Sequence, residues 1–549
     1  MISFESIEDN FKFILLETQG IVQATRDFVD APSPDSYDGV IGRDDYIDNL
    51  KNVIENQCYR RIHTGQAVSE EEVQQIRAIQ IIAVNLERIA DNCVNIARQV
   101  GYLEDPGFIR SYDYAVLFEK VLASLTDIYP TFREHTLSGA LAICKIEYEL
   151  DRLYKETFDI IMPRLRTGQS VQNLITTLFI FRYLERMGDA LLNVGEALIF
   201  AIIGQRIKVH QFQALQESLD KAGFNGSLSR LNFEPIWGTR SGCRISRVGD
   251  VPGGEGRPQE IIFKEGNLAK IRAERESLER WERLFSGLAP RVISYHEERH
   301  TASLLEEFLP GYTLDEIAVG TDRGRAERAL TELKGTLRRV WSETRRAGPI
   351  ATDYVGQIEK RLHHVRNVHP HFSRSEQYLG GSKVMSSREL LSRAEAAERK
   401  LPAPFSVLTH GDLNANNVVY NEEKGRIHFI DLHRSRHGDY VQDVSVFLIS
   451  NCRMPLFEAE ARTRLHKVIE ELLSFAAGLA REWEDGTFGA RMATALARSL
   501  YTSTRFELNP GFSKEMYLRA HFLLEKVVAH HESEAPWGSF TLPSEVLYY

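Results

Sequence analysis

Apolar residues recur with a period near 3.6 through about the first 205 positions, where glycine and proline are sparse, so a series of long helices is predicted there. The pattern then changes. From about 226 to 312, short runs such as RISRVG, EIIFKEG and SLLEEFLPG read as strands punctuated by glycine and proline. Beyond about 313 the helical period returns, broken by two polar islands, LTHGDLNANN and HFIDLHRS. The stretch KVHQFQALQESLDKAGFNGS reads as a connecting helix with a glycine-rich exit. The expected organisation is an all-α region over 1–205, a linker over 206–225, a strand-rich lobe over 226–312 and a helical lobe over 313–549.

The helical part repeats itself. LERIADNCVNIA from Leu86 and LERMGDALLNVG from Leu184 share the form LERxxD, with an asparagine four residues after the aspartate, at an offset of 98. DDYIDNL from Asp44 and EYELDRL from Glu147 form a second such pair at an offset of 103. Two units of about 100 residues, each of several helices, follow. Each unit carries acids four apart, which share a helix face. Glu87 and Asp91 are flanked by Leu86, Ala90 and Val94, and Glu185 and Asp189 by Leu184, Gly188 and Leu192. The acids therefore border the buried stripe, where like charges repel and need compensation. Two sources are open: a bound hard cation, which prefers carboxylate oxygens, or basic neighbours such as Arg88 and Arg186.

These residues resemble the PhoU family of phosphate-signalling proteins. The resemblance implies two three-helix bundles related by internal symmetry, each with a metal-binding acid set. Asp44, Asp48, Glu87 and Asp91 would serve the first, and Glu147, Asp151, Glu185 and Asp189 the second. It further implies metal clusters there, Fe or Zn among the candidates, and a regulatory role.

Composition narrows the rest. A chain of 549 residues exceeds one ordinary core. Its net charge of -10 disfavours nucleic acid as partner. No uncharged apolar window of about 18 residues is present, so no membrane span is expected. The start, MISFESIEDNFKF, lacks the basic head and apolar run of a secretory signal. Cys58, Cys93, Cys144, Cys243 and Cys452 are scattered without metal-ligand spacing and read as free thiols of a reducing cytoplasm.

The polar islands carry the chemistry. Phosphoryl transfer needs an acceptor oxygen held in place, neutralised phosphates and a lysine on them, with little covalent work from protein. Asp412 and Asn417 on one loop, and Asp431 at the end of a following strand, have that layout. Lys264 ends the apolar run EIIFK and can face phosphates. A carboxylate on the helix RAERESLERWERL should hold it. Glu276 is preferred over Glu274 by its place relative to Trp281 and Pro290. Gly238, Ser241 and Gly242 fall where a phosphate-covering turn belongs, and Glu307 and Leu309 fall at a hinge suited to adenine contacts.

This set resembles the aminoglycoside phosphotransferase and choline kinase family, which has the bilobal α+β fold of protein kinases. The resemblance covers about 225–535 and implies ATP and Mg²⁺, Asp412 as catalytic base, Asn417 and Asp431 as Mg²⁺ ligands, and Lys264 with Glu276 as the phosphate-binding pair. The chain departs from the family in two places. Asn414 and Ala415 stand where many members have His-Pro, and Leu432, His433 and Arg434 follow the metal-binding aspartate. With Arg436 they make the acceptor side basic, which suits an anionic or neutral hydroxyl compound better than a polycationic aminoglycoside. The function expected is a small-molecule kinase with a metal-binding regulatory domain. The alternatives are a catalytically silent nucleotide-binding regulator and, for the helical half, a structural bundle suited to forming a homodimer.

Overall fold

The computed structural model describes residues 3–63, 68–204, 209, 215, 219, 232–235, 244–252, 258–297 and 300–548. These fall into two compact units, one running through the helices to Phe263 and the other from Lys264 onward.

Among the described residues the first unit holds six long helices: α1 (Phe4–Asp30), α2 (Pro34–His63), α3 (Glu70–Val100), α4 (Tyr114–Glu134), α5 (Leu137–Leu165) and α6 (Val171–Ile203). α1–α3 pack on one another as one three-helix bundle and α4–α6 as a second, with α3 set against α6. The periodic apolar stripes close a single core that includes Phe11, Ile47, Leu86, Ile89, Phe118, Leu150 and Leu184. Local signals start and stop the helices. Ser69 accepts from the Glu72 amide (3.2 Å) at the head of α3, beside three acids that complement the helix dipole. Gly204, at φ +80°, ends α6 in the left-handed region that glycine tolerates best. Strands also lie in this unit. β1 (Asn232–Pro235) pairs antiparallel with β2 (Arg244–Pro252), Asn232 opposite Gly249.

β3 (Pro258–Asn267) begins in the first unit and enters the second at Lys264, and α7 (Leu268–Leu284) starts at once under an Asn267 cap. β4 (Val292–Glu297) and β5 (Thr301–Glu307) form an antiparallel pair. There follow α8 (Arg323–Glu343), β6 (Arg346–Ile350), α9 (Ser387–Glu398), β7 (Ala403–Thr409), β8 (Val418–Asn421), β9 (Arg426–Phe429) and β10 (Arg436–Gly438). After them come the long helices α10 (Tyr440–Cys452), α11 (Ala459–Glu482), α12 (Phe488–Ser503) and α13 (Pro510–Glu532). β7 lies between β6 and β10, and β8 pairs with β9, all antiparallel. The first polar island leaves β7 and the second leaves β9. The Ile430 amide donates to the Asn417 carbonyl (3.1 Å), so β8 and β9 fold the two islands together. A buried polar network braces this region. Arg491 pairs with both Asp439 and Asp485, while Tyr354 donates to Asp439 (2.9 Å) and Tyr440 to Asp485 (2.8 Å). Asp439 also caps α10.

The all-helical first part and the mixed α/β second part are as the periodicity predicts. Among the described residues no helix is long and apolar enough to cross a membrane. Cys58, Cys93, Cys144 and Cys452 are buried and form no disulfide among the described residues, and Cys243 lies outside them. Burial pushes the thiols of Cys58, Cys93 and Cys144 up to about 12, which leaves them poor nucleophiles.

Candidate phosphotransfer site and acidic helix faces

Lys264 is 6% exposed and lies between two carboxylates, Glu274 of α7 at 3.0 Å and Glu306 of β5 at 2.8 Å, each 2% exposed. Burial opposes its charge, but Glu274, Glu306 and Asp431 outweigh that and push the ammonium up. Burial also pushes Glu306 up to about 7, against the pull of Lys264. Glu274 does more than hold the lysine. Its Oε1 accepts from the Leu432 amide (3.2 Å), tying α7 to the segment after Asp431. Trp281 adds a second tie through Ser435 (2.7 Å), whose hydroxyl donates to the Thr409 carbonyl (2.7 Å).

Glu276, preferred from the sequence, is not the partner. α7 buries Ile271, Glu274, Leu278 and Trp281 at helical spacing, and Glu276 falls on the exposed side. Glu306 escaped notice because β5 is buried on both faces from Ala302 to Glu306, so no alternation singles out one acid of the EE pair.

The loop after β7 is built from below. Asp443 of α10 accepts from the amides of His410 (2.7 Å) and Gly411 (2.8 Å). Burial pushes its carboxyl up to about 7, although those two hydrogen bonds favour the charged form. Gly411 has φ +84°, and a Cβ there would stand 2.2 Å from the Arg434 carbonyl oxygen, so the loop and the second island can approach this closely only at glycine. Asp412 Oδ1 accepts from Asn414 (2.9 Å), and Oδ2 pairs with Arg434 (2.8 Å). Asn417 Nδ2 donates to the Asp412 carbonyl (2.9 Å), which leaves its amide oxygen to coordinate or accept. His410 is buried and held below its usual range by desolvation, so it serves as a neutral structural group.

Asp431 follows β9 at φ +59°, a left-handed position that aspartate tolerates better than most residues. Burial acts to raise its carboxyl, but the His433 hydrogen bond (2.7 Å) and the Lys264 charge hold it well below the usual carboxylate range. Glu274, Asp431 and His433 bring three ligand-type atoms within 4.8 Å of one another. Of the proposed adenine contacts, Glu307 pairs with Arg291 (3.0 Å), and Leu309 is half-buried just past β5. Gly238, Ser241 and Gly242 lie outside the described residues.

In the first unit, Asp44 and Asp48 of α2 share an electrostatic neighbourhood with Glu87 and Asp91 of α3. Burial first, then the crowd of acids, pushes Asp44 up to about 6 and raises Asp91. Glu147 of α5 and Glu185 of α6 are raised for the same reasons, with Asp151 and Asp189 beside them. Close helix packing produces this. A Cβ on Gly188 would lie 3.3 Å from the Glu147 Cα. Cationic side chains offset part of the repulsion. Lys51 bridges Asp48 (2.6 Å) and Glu87 (2.9 Å), Lys155 pairs with Asp151 (2.6 Å) and Arg182 with Glu185 (2.6 Å). The sequence had offered Arg88 and Arg186 for that task.

Comparison with known proteins agrees with both halves. The family described as "PhoU domain" matches residues 17–100 and 115–198, and "Phosphotransferase enzyme family" matches 261–483. The phosphate-specific transport system accessory protein PhoU homolog of Clostridium acetobutylicum is 30% identical over 176 residues, 31% of this chain and 79% of that protein. Its Borreliella burgdorferi counterpart is 30% identical over 172 residues, 30% of this chain and 76% of that protein. Among solved structures, the aminoglycoside phosphotransferase of Streptomyces rimosus aligns at 18% identity and TM-score 0.32, covering 57% of this chain and 98% of that one. The chain belongs to the PhoU family through residues 17–100 and 115–198, while residues 261–483 match the family described as "Phosphotransferase enzyme family".

Proposed function

We propose that the second unit is an ATP-dependent small-molecule kinase with a hydroxyl acceptor, and that the PhoU-like unit regulates it or phosphate signalling in response to metal or phosphate. The observation that carries this reading is the convergence of Lys264, Glu274 and Asp431 at one end of the site with the Asp412–Asn417 loop. The donors suit a hard cation: Asp431 stays ionised, and the Asn417 amide oxygen has no hydrogen-bond partner among the described residues. Mg·ATP, when bound, supplies the γ-phosphoryl group; the acceptor oxygen–phosphorus bond forms as the bond to the β,γ-bridging oxygen breaks. Asp412 orients the acceptor hydroxyl and takes its proton. Lys264, fixed by Glu274 and Glu306, would face the phosphates, and Asn417 and Asp431 would hold the Mg²⁺. In this reading the kinase lobes are 226–312 and 313–549, the helical domain is 1–205 and the linker 206–225. An ATP-rich, reducing cytoplasm suits both the donor and the buried thiols.

The first test is ATP consumption by the full chain against pooled hydroxylated metabolites, with Asp412→Ala as control. Acceptor-stimulated turnover that disappears in Asp412→Ala is the expected result. One observation favours a second reading, a silent nucleotide-binding regulator: Arg434 already occupies Asp412. Tight Mg·ATP binding without turnover in any pool would decide for it.

A further inference from the structure

Arginines reach Asp412 from widely separated parts of the chain. Arg434 pairs with its carboxylate at 2.8 Å. Arg453, at the end of α10, donates to Asn414 (3.3 Å), which itself donates to Asp412. Arg361, Arg498 of α12 and Arg505 each act electrostatically on Arg434 and Asp412, and Arg361 also acts on Arg498 and Arg505. Arg498 is only 6% exposed, reaches Ser445 at a long 3.4 Å and has a buried Nε with no hydrogen-bond partner among the described residues. The Nε of Arg505 is buried and equally without a partner there.

The local acids do not balance these cations. Asp412 is engaged by Arg434. Asp443 is turned to two backbone amides, and Asp439 is held by Arg491. A buried guanidinium without a counter-charge is unfavourable, and an oxyanion answers it with paired, charge-assisted hydrogen bonds. The nucleotide end forms a separate charge cluster. The strongest neighbours of Lys264 are Glu274, Glu306 and Asp431, whereas those of Arg498 include Tyr354, Arg361 and Asp412.

We propose that Arg361, Arg434, Arg498 and Arg505 form an oxyanion pocket for the acceptor, which carries a carboxylate or phosphate group besides the hydroxyl that Asp412 engages. The proposal rests on the kinase reading and narrows its substrate class. The same anion draws Arg434 off Asp412, so the base becomes available only when an anionic acceptor is bound.

The test uses the full chain with three matched probes: one polyol in neutral, carboxylated and phosphorylated form. Each is assayed for Mg·ATP turnover and, by calorimetry, for direct binding, in wild type, Arg505→Gln, Arg498→Gln and Arg498→Lys. The expected result is a preference of at least tenfold in kcat/KM for an anionic form. The two glutamine variants should raise the acceptor KM about tenfold and leave the ATP KM within twofold, and Arg498→Lys should recover part of the loss. Arg505→Gln, at a half-buried position, keeps the test valid should Arg498→Gln fold poorly. The carboxylated and phosphorylated arms say which anion is recognised. A neutral or cationic acceptor preferred with full turnover overturns the pocket and leaves the kinase standing. A rise in ATP KM alone would assign the arginines to the nucleotide and also overturns it. Saturable anion binding, lost in Arg505→Gln, with no turnover keeps the pocket and removes the kinase. Neither turnover nor anion binding removes both.

Discussion

Two glutamates two residues apart on α7 have opposite fates. Glu274 shares the buried stripe with Ile271, Leu278 and Trp281, while Glu276 faces solvent. Glu274→Gln should therefore lower kcat/KM about 100-fold, or about 2.7 kcal/mol of transition-state stabilisation, and Glu276→Gln should change it less than twofold. Equal losses in steady-state kinetics would return the role to Glu276. The signal was present in the sequence: counting back seven from Trp281, two helical turns, gives Glu274. Lys264, Asp412, Asn417 and Asp431 were legible because each sits in a short local pattern. Of the arginines about Asp412 only Arg434 was, because the others stand at 361, 453, 498 and 505 and only tertiary folding gathers them. Asp443 carries a pH prediction. Its folded-state value near 7 lies above the roughly 3.9 of an unfolded aspartate. The fold thus binds an extra proton between those limits. That stabilisation is fully present below about pH 4 and is lost as pH rises to 7, on the order of 3 kcal/mol. Denaturant unfolding at pH 4.5 and 7.5 should show wild type losing that much relative to Asp443→Asn. A pH-independent difference would mean Asp443 is ionised throughout.

At the level of elements, helix approach decides what the acid pairs can do. In α6, a Cβ on Gly195 would meet the Ala140 carbonyl at 2.9 Å and the Cys144 amide nitrogen at 3.1 Å, backbone atoms that cannot turn aside. Gly195→Ala should cost about 1–3 kcal/mol and lower the melting temperature, since overpacking forces α5 and α6 apart. An unchanged melt would mean that the two helices slide without cost. In the other bundle, Lys51 is the internal cation between Asp48 and Glu87. Removing it as Lys51→Met leaves the acids to repel, so the variant should melt lower without metal and gain more than wild type on adding Fe²⁺ or Zn²⁺. Equal gains would mean that the lysine and the metal do not compete. The helices were readable because a stripe repeated over some 30 residues is a strong signal. The metal question was not, because period places acids on a face without telling whether a lysine or an ion answers them.

Among the described residues the whole molecule is organised by two cores that share no residue. One gathers side chains from Ile7 to Val209, the other from Ile271 to Leu547. A core closed on itself is a cooperative unit, and a chain with two such units departs from a single all-or-none transition. Calorimetry should resolve two transitions, and each perturbation should find its own. Gly195→Ala lies in the first unit and should lower one transition only. On the kinase reading Mg·ATP would bind the folded second unit and stabilise it by RT ln(1 + [L]/Kd), about 2.7 kcal/mol at a hundredfold excess over Kd. With Lys264, Asn417 and Asp431 all in the second unit, Mg·ATP should raise the other transition and leave the first in place. Asp431→Asn should abolish that rise while both transitions persist. If Mg·ATP raised both together, the two units would unfold as one, and nucleotide at the second would act on the acid-lined helices of the first.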